Sequence, residues 1–436
     1  MWGYIMSELI VRGRKRLAGK VVIQGSKNST LPILAATILA KGKYTICNCP
    51  EIIDVRQMLN ILENIGIKSQ LIENTVSIDV DNPTGNPDYI KCKCLRASSL
   101  LMGALLGRNL GFSISFPGGC NIGARPLDYH LDGFRALGAE ITQKDNIIYG
   151  KCKKLVGCSY TFPYPSVGAL ENMLLAGVCA EGVSEFTNCA RDPEIIDLCN
   201  FLRAMGADIE GDGTGNIVVR GGRELSACDF EIPGDRIVAG TYMIACAAVG
   251  GNIVLSGIEP GRLRMLTRLL KKTGCHVFTD SANNEIMTLA EGVGRSVPFI
   301  CARPYPEFPT DLQPQMMALF SVLYGSSKIK DDVFDERYGT AIQLARMGAD
   351  IKLEGDGAYI KGGAHLKGTT VEAENLRQGA ALVIAAMAAE GTTIIVNCRH
   401  IMRGYEDIVR DMQQLGADIV CQEDEETKGK NGLLPY

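Results

Sequence analysis

The 436-residue sequence has four histidines and one tryptophan, and its sixteen cysteines form no recurring CxxC pair. That scarcity of histidines and CxxC pairs argues against a metal centre. The Cys-x-Cys pairs Cys47/Cys49 and Cys92/Cys94 stand near strand-like segments, while Cys179, Cys199 and Cys246 lie in apolar runs. They read as small buried hydrophobes of a reducing cytoplasm. Long apolar stretches are missing too: Leu31 to Ala40 and Ala380 to Ala389 are among the longest, and each is about half of what a bilayer requires. The N-terminal stretch MWGYIMSELIVRGRKR has neither the apolar core nor the cleavage site of a signal peptide. There is no cationic excess. A net charge of -4 argues against a nucleic-acid partner, and the basic run from Arg12 to Arg16 reads as a solvated turn. GSKNS, from Gly25 to Ser29, lacks the GxxxxGK[ST] frame of an ATP-binding loop. The expectation is a soluble cytoplasmic protein of two to three domains, with 46% hydrophobic and 22% charged residues.

What is present is a repeat. LGAEI at Leu137, MGADI at Met205, MGADI at Met347 and LGADI at Leu415 are joined by weaker copies, IGIKS at Ile65 and TGCHV at Thr273. The glycines Gly66, Gly138, Gly206, Gly274, Gly348 and Gly416 are separated by 72, 68, 68, 74 and 68 residues. Each follows an amphipathic pattern such as VRQMLNILENIG and precedes a strand-like run, as expected of a glycine that ends a helix in the left-handed conformation. Each unit also carries a helix apolar on all sides, opening at Ser26, Arg96, Ser166, Asp235, Thr310 and Leu376. Such helices belong inside a unit. The fold expected is α/β (α+β): six repeated βαβαββ-like units in two pseudo-threefold globules with buried central helices, an inside-out α/β barrel. One globule would hold residues 27–234 and the other residues 1–26 plus 235–420, with 421–436 as a tail.

The charged and polar residues of the apolar helices gather in their first turns: Lys27 and Asn28, Arg96, Ser166, Asp235 and Arg236, Asp311, Arg377. If these N-termini meet in a cleft, their dipoles and unpaired N–H groups would attract phosphates and carboxylates. Lys27 is odd in this position, because the dipole disfavours a cation there unless an anion is bound. Asp311, after RPYPEFPT, could simply cap its helix. Arg403 opens the last helix and could be a surface charge. Glu171 and Asp197 fall within helical patterns and carry no assigned chemistry. FPGGCNIGARP, Phe116 to Pro126, places Cys120 and Arg125 in a Gly/Pro-rich loop, suited to a lid with a reactive thiol.

Together GSKNSTLPILAATILA, RASSLLMGALLG, FPGGCNIGARPLDYHLDGFRALGAEI, SVGALEN, FPTDLQ and RHIMRGYE resemble the motifs of the UDP-N-acetylglucosamine 1-carboxyvinyltransferases, from about Leu9 to Ile419. The resemblance implies transfer of enolpyruvate from phosphoenolpyruvate to the 3-hydroxyl of UDP-N-acetylglucosamine, the first committed step of peptidoglycan synthesis, with no metal or organic cofactor. It implies that Lys27, Arg125 and Arg403 hold phosphoenolpyruvate, with Arg377 at its carboxylate. Asn28 would contact the sugar; Arg96, Arg125, Pro126, Leu127, Ser166, Val167, Gly168 and Val333 would line the nucleotide-sugar site. Cys120 would be the general acid and Asp311 the base. Sensitivity of the thiol to small electrophiles such as fosfomycin is implied as well. Two positions depart from common members: Asn375 replaces an aspartate and Tyr164 a lysine. The alternatives are the related shikimate-pathway transferase, which lacks such a cysteine loop, and a non-catalytic nucleotide-sugar binding paralogue.

Overall fold

The structure, a computed structural model, describes residues 6–116, 118 and 126–423. The described residues form two compact units. One comprises those up to Gln24 and from Gly234 onward; the other runs from Gly25 to Pro233.

Each unit is built on three inner helices. In the first they are Arg236–Val249, Gln313–Val322 and Leu376–Ala388, which pack against one another. In the second they are Lys27–Ala36, Leu101–Gly107 and Val167–Gly177. Every residue from Arg236 to Ala248 is buried, the result of a helix with no polar face to turn toward water. Each such Leu, Ile or Met contributes about 1.5–3 kcal/mol of burial. Around each set stand three separate sheets and the outer, amphipathic helices. Among the described residues the six sheets are open, with four strands in five of them and three in the sixth, so the sheets of each unit stay independent and do not close into the expected barrel.

The common sheet has a parallel pair flanking the inner helix, followed by an antiparallel hairpin. Ser159–Thr161 runs beside Gly182–Thr187, with Phe186 opposite Tyr160, and Asn216–Gly221 and Asp208–Glu210 complete it. At the two places where the chain changes unit, this pairing is exchanged. Leu17–Val22 leads into the Lys27–Ala36 helix but pairs with Gly251–Ser256; Phe230–Glu231 leads into the Arg236–Val249 helix but pairs with Gly42–Cys47. Gln24 stays with the first unit because its amide donates to the Gly404 carbonyl and accepts from the Glu406 N–H. The repeat around Arg96 departs from the plan: among the described residues its sheet Phe112–Ser115, Ile147–Lys151, Glu140–Lys144 has no parallel edge strand, and a short helix, Tyr89–Cys94, packs there instead.

All six repeat glycines have φ between 89° and 109°, the left-handed conformation that releases each outer helix into a strand. The final strand reaches Glu423, past Cys421 where the tail was expected to begin, because Cys421 and Gln422 pair with Leu9 and Glu8. Among the described residues no helix is long and apolar enough to cross a membrane, and no cluster of His, Cys, Asp and Glu could hold a metal.

The inner helices of the second unit approach closely at Gly103, where an added Cβ would lie 2.4 Å from the Asn172 carbonyl oxygen and 2.7 Å from Asn172 Oδ1. Asn172 also accepts from the Gly103 N–H at 2.8 Å and donates to the Ser99 carbonyl and to His130 Nδ1. Gly103→Ala should therefore cost about 1–3 kcal/mol in denaturant unfolding, as overpacking does. A change below roughly 0.5 kcal/mol would mean these helices separate freely.

Candidate active site

In the first unit two of the expected site residues, Asp311 and Arg377, meet at the starts of two inner helices. Asp311 sits in the 3-10 turn Thr310–Leu312 that leads into Gln313–Val322. It does not cap the helix, as the simple reading had it: the capping positions Pro309 and Leu312 make no side-chain cap bond. Its carboxylate instead accepts from two guanidiniums, Arg337 Nη1 at 2.9 Å on Oδ1 and Arg377 Nη2 at 2.6 Å on Oδ2. Arg377 is the second residue of Leu376–Ala388, and both arginine side chains are under 10% exposed. Burial alone would push the Asp311 carboxyl up. The attraction of Arg377 and Arg337, with their hydrogen bonds, outweighs it and holds the group well below the usual carboxylate range. Burial likewise works against the charge on Arg377, and Asp311 more than restores it, so the guanidinium's pKa is raised.

Arg337 was not singled out in the sequence, where it reads as one charge among several in DDVFDER. Its place is set by Asp331, whose Oδ1 accepts the N–H groups of Val333 and Phe334 and so forms a tight turn. Thr310 donates to Asp331 Oδ2 at 2.6 Å and accepts from Arg337 Nη1 at 2.7 Å. The Arg337 Nε–H is buried and has no partner among the described residues, and the guanidinium lies 5.0 Å from the Phe334 ring centroid. A buried, charged donor left in this state suits an anionic ligand. Val333, half-buried, lies on the same turn. Arg403 ends the 3-10 helix Cys398–Arg403 and is half-buried. Asn375 keeps the role its short polar side chain permits, capping Leu376–Ala388 through Oδ1 and the Gln378 N–H at 3.0 Å.

In the second unit Lys27 is the first residue of Lys27–Ala36, and Nζ is 2.7 Å from Asp54 Oδ2. A bound anion is therefore not needed to offset the dipole, contrary to the sequence reading: Asp54, in the first turn of Ile53–Asn64, supplies the negative charge. Asn28 follows, half-buried, and Ser26 caps the helix. Ser29 Oγ donates to Asp197 at 2.7 Å, a structural tie between helices. Glu171 is buried, and desolvation first, then Glu194 and Asp192, push its carboxyl up toward the neutral acid. Arg96 opens the 3-10 turn Arg96–Leu100. Ser166 caps Val167–Gly177 through the Ala169 N–H, with Val167 and Gly168 half-buried beside it. His130 comes close to that segment, its ring Cε1 being 3.3 Å from where a Cβ on Gly168 would stand. Pro126 is exposed and Leu127 buried at the start of Asp128–Ala136. Cys120 and Arg125 lie outside the described residues.

Two tests follow from these ion pairs. Asp54→Ala takes a carboxylate 2.7 Å from Lys27 away from a positive helix end and should cost about 3–5 kcal/mol of unfolding free energy; a loss under roughly 1 kcal/mol would show the pair to be solvated. For Asp311 the folded-state pKa is depressed, so its stabilisation is present above the unfolded value near ~3.9 and is lost as pH falls toward the folded one. The difference in unfolding free energy between the wild type and Asp311→Asn should stay level from about pH 8 to pH 5 and shrink only below about pH 4. Shrinkage already near neutral pH would contradict a carboxylate held by two guanidiniums.

The sequence matches the family described as EPSP synthase (3-phosphoshikimate 1-carboxyvinyltransferase) over residues 11–412. It is 43% identical to UDP-N-acetylglucosamine 1-carboxyvinyltransferase 2 of Caldanaerobacter subterraneus subsp. tengcongensis, covering 95% of this chain and 99% of that one. It is 42% identical, over 95% and 99%, to UDP-N-acetylglucosamine 1-carboxyvinyltransferase of Trichlorobacter lovleyi. Among solved structures, the enolpyruvyl transferase NikO from Streptomyces tendae superposes with a TM-score of 0.86 at 24% identity, over 96% of this chain and 100% of that one. EPSP synthase from Acinetobacter baumannii gives 0.73 at 20% identity, over 95% and 100%. Carrying this fold, this matched stretch and these relatives, the chain belongs to the enolpyruvyl transferase family that includes EPSP synthase.

Proposed function

We propose that this protein transfers the enolpyruvyl group of phosphoenolpyruvate to the 3-hydroxyl of UDP-N-acetylglucosamine in peptidoglycan synthesis, acting in the cytoplasm. The observation that carries the reading is the Asp311 carboxylate gripped by Arg337 and Arg377, in a chain over 40% identical to curated transferases of that name. The sugar hydroxyl oxygen attacks C2 of the enol and gives its proton to Asp311, while the Cys120 thiol protonates C3 to a methyl group. In the second half the Cys120 thiolate takes back a C3 proton as the C2–O bond to phosphate breaks, which forms the enol ether, and the proton held by Asp311 leaves with the phosphate. Lys27, Arg125, Arg403 and Arg377 hold phosphoenolpyruvate, and Arg337 joins them. Asn28 contacts the sugar. Arg96, Arg125, Pro126, Leu127, Ser166, Val167, Gly168 and Val333 hold the nucleotide sugar.

The depressed pKa of Asp311 gives this scheme its order. A carboxylate neutralised by two guanidiniums is a weak base, so it cannot take the hydroxyl's proton until that grip is loosened. An incoming carboxylate or phosphate that draws Arg377 and Arg337 toward itself raises the basicity of Asp311 when the substrate is in place. The phosphate-bearing substrate thus both donates the group and activates the base.

Phosphate release from phosphoenolpyruvate tests the assignment directly. Release with UDP-N-acetylglucosamine and not with shikimate 3-phosphate is expected. Release only with shikimate 3-phosphate would transfer the assignment to the other branch of the family, and release with neither would make the chain a binder. Cys120→Ser and Asp311→Asn should each lower kcat by at least about 100-fold while leaving nucleotide-sugar affinity, read by calorimetry, within a few-fold. Full turnover in either variant removes that residue from the mechanism.

A further inference from the structure

Apart from the inner helices, the outer helix Arg264–Lys272 borders a cavity of about 640 Å³ in the first unit. The helix buries Leu266, Leu269 and Leu270. Its other side brings Arg264, Arg268, Lys271 and Lys272 to the cavity, where the hydroxyl residues Thr267, Thr279 and Ser281 complete the polar lining. Lys271 and Lys272 are ordinary in a last turn, where the dipole favours cations. Arg264 is not, since it opens the helix with no acidic residue in the first turn. Arg268 then stands four residues from Arg264 and Lys272 and three from Lys271, a set of like-charge neighbours that weakens the helix.

The nearby carboxylates do not relieve this. Glu259 is 3.0 Å from Arg262 Nε, and Asp280 accepts from the N–H groups of Ala282 and Asn283 and from the Asn283 amide. None of the four cations forms an ion pair with a described carboxylate, whereas Arg220 is paired with Asp208 and Glu210, and Lys330 with Asp332 and Asp356.

We propose that this cavity binds a small anion carrying two or three linked phosphate groups, at a site separate from the residues assigned to catalysis. Four cations match the charge of a di- or triphosphate. The Thr279 and Ser281 hydroxyls can donate to its oxygens, and the volume exceeds a lone phosphate while falling within the roughly 300–1,000 Å³ of small-ligand sites. Arginines at helical spacing give forked donors for adjacent phosphates.

The test is calorimetric titration of the full chain with tripolyphosphate at low salt, compared with Arg264→Gln/Arg268→Gln. The wild type should bind with a dissociation constant below about 1 mM, and the double variant should lose one equivalent of binding or weaken it at least tenfold, with transferase turnover unchanged. If that variant does not fold, Arg268→Gln/Lys272→Gln gives the same comparison. Equal binding in variant and wild type overturns the proposal. So does inorganic phosphate binding as tightly as tripolyphosphate, which would mark a single-phosphate site, or poly-glutamate binding more tightly than either, which would mark a protein-docking surface.

Discussion

The constraint that both units share is the placement of positive side chains at the positive ends of buried helices. Lys27, Arg236 and Arg377 each lie in the first two residues of an inner helix, where the dipole opposes them by about 0.3–1 kcal/mol and desolvation by several more. The structure offsets each locally. Lys27 faces Asp54 and Arg377 faces Asp311, while Arg236 lies 5.6 Å from the Tyr305 ring centroid, with Asp235 beside it capping the Ile237 and Val238 N–H groups. Replacing such pairs with apolar groups would commonly keep or raise stability. Their cost makes sense when the compensating carboxylate is a stand-in that an anionic ligand can displace or share.

The six-unit plan was legible because it rests on local chemistry. A glycine that must adopt φ near 100° leaves a mark wherever it recurs, and a helix apolar on every side has one possible environment. The exchanged pairing of Leu17–Val22 and Phe230–Glu231 left no such mark. A parallel edge strand of two to six residues reads the same whichever neighbour it joins, because its partner is set by long-range packing. The departure at Arg96 was equally hidden. IKCKCLRASSLLMG shows a helix-compatible run, and nothing in its periodicity says that a short helix, Tyr89–Cys94, replaces the edge strand.

At the site, residue type was readable and partnership was not. Asp311 and Arg377 stood out as polar openings of apolar helices, 66 residues apart, yet their direct bond depends on how two inner helices pack. Asp54 looked like any acid in a first turn, and it took the tertiary contact to show that it answers Lys27. His130 and Asn172 form a buried polar clamp between helices but occupy helical positions where the sequence offers no signal beyond an unusual polar residue. The motifs that carried the family resemblance hold the residues proposed to react. The groups that orient them are dispersed, since orientation comes from whichever side chain the fold delivers.

The turn at Asp331 shows why that second set matters. Burial pushes the Asp331 carboxyl up, while Thr310 and the amides of Phe334 and Val333 oppose the shift by donating to it. Thr310 can give its one hydroxyl proton only once, and giving it to Asp331 leaves its lone pairs for Arg337. Arg337 is thereby aimed at Asp311 by a group that itself never touches the carboxylate. Val333 lies on the same turn, so any displacement of that turn would carry the backbone of Arg337 with it. Coupling of this kind needs no large motion, because hydrogen-bond lengths of 2.6–2.9 Å leave little slack. A few tenths of an ångström at the turn suffice to change how tightly the carboxylate is held, and with it the proton affinity on which the proposed chemistry turns.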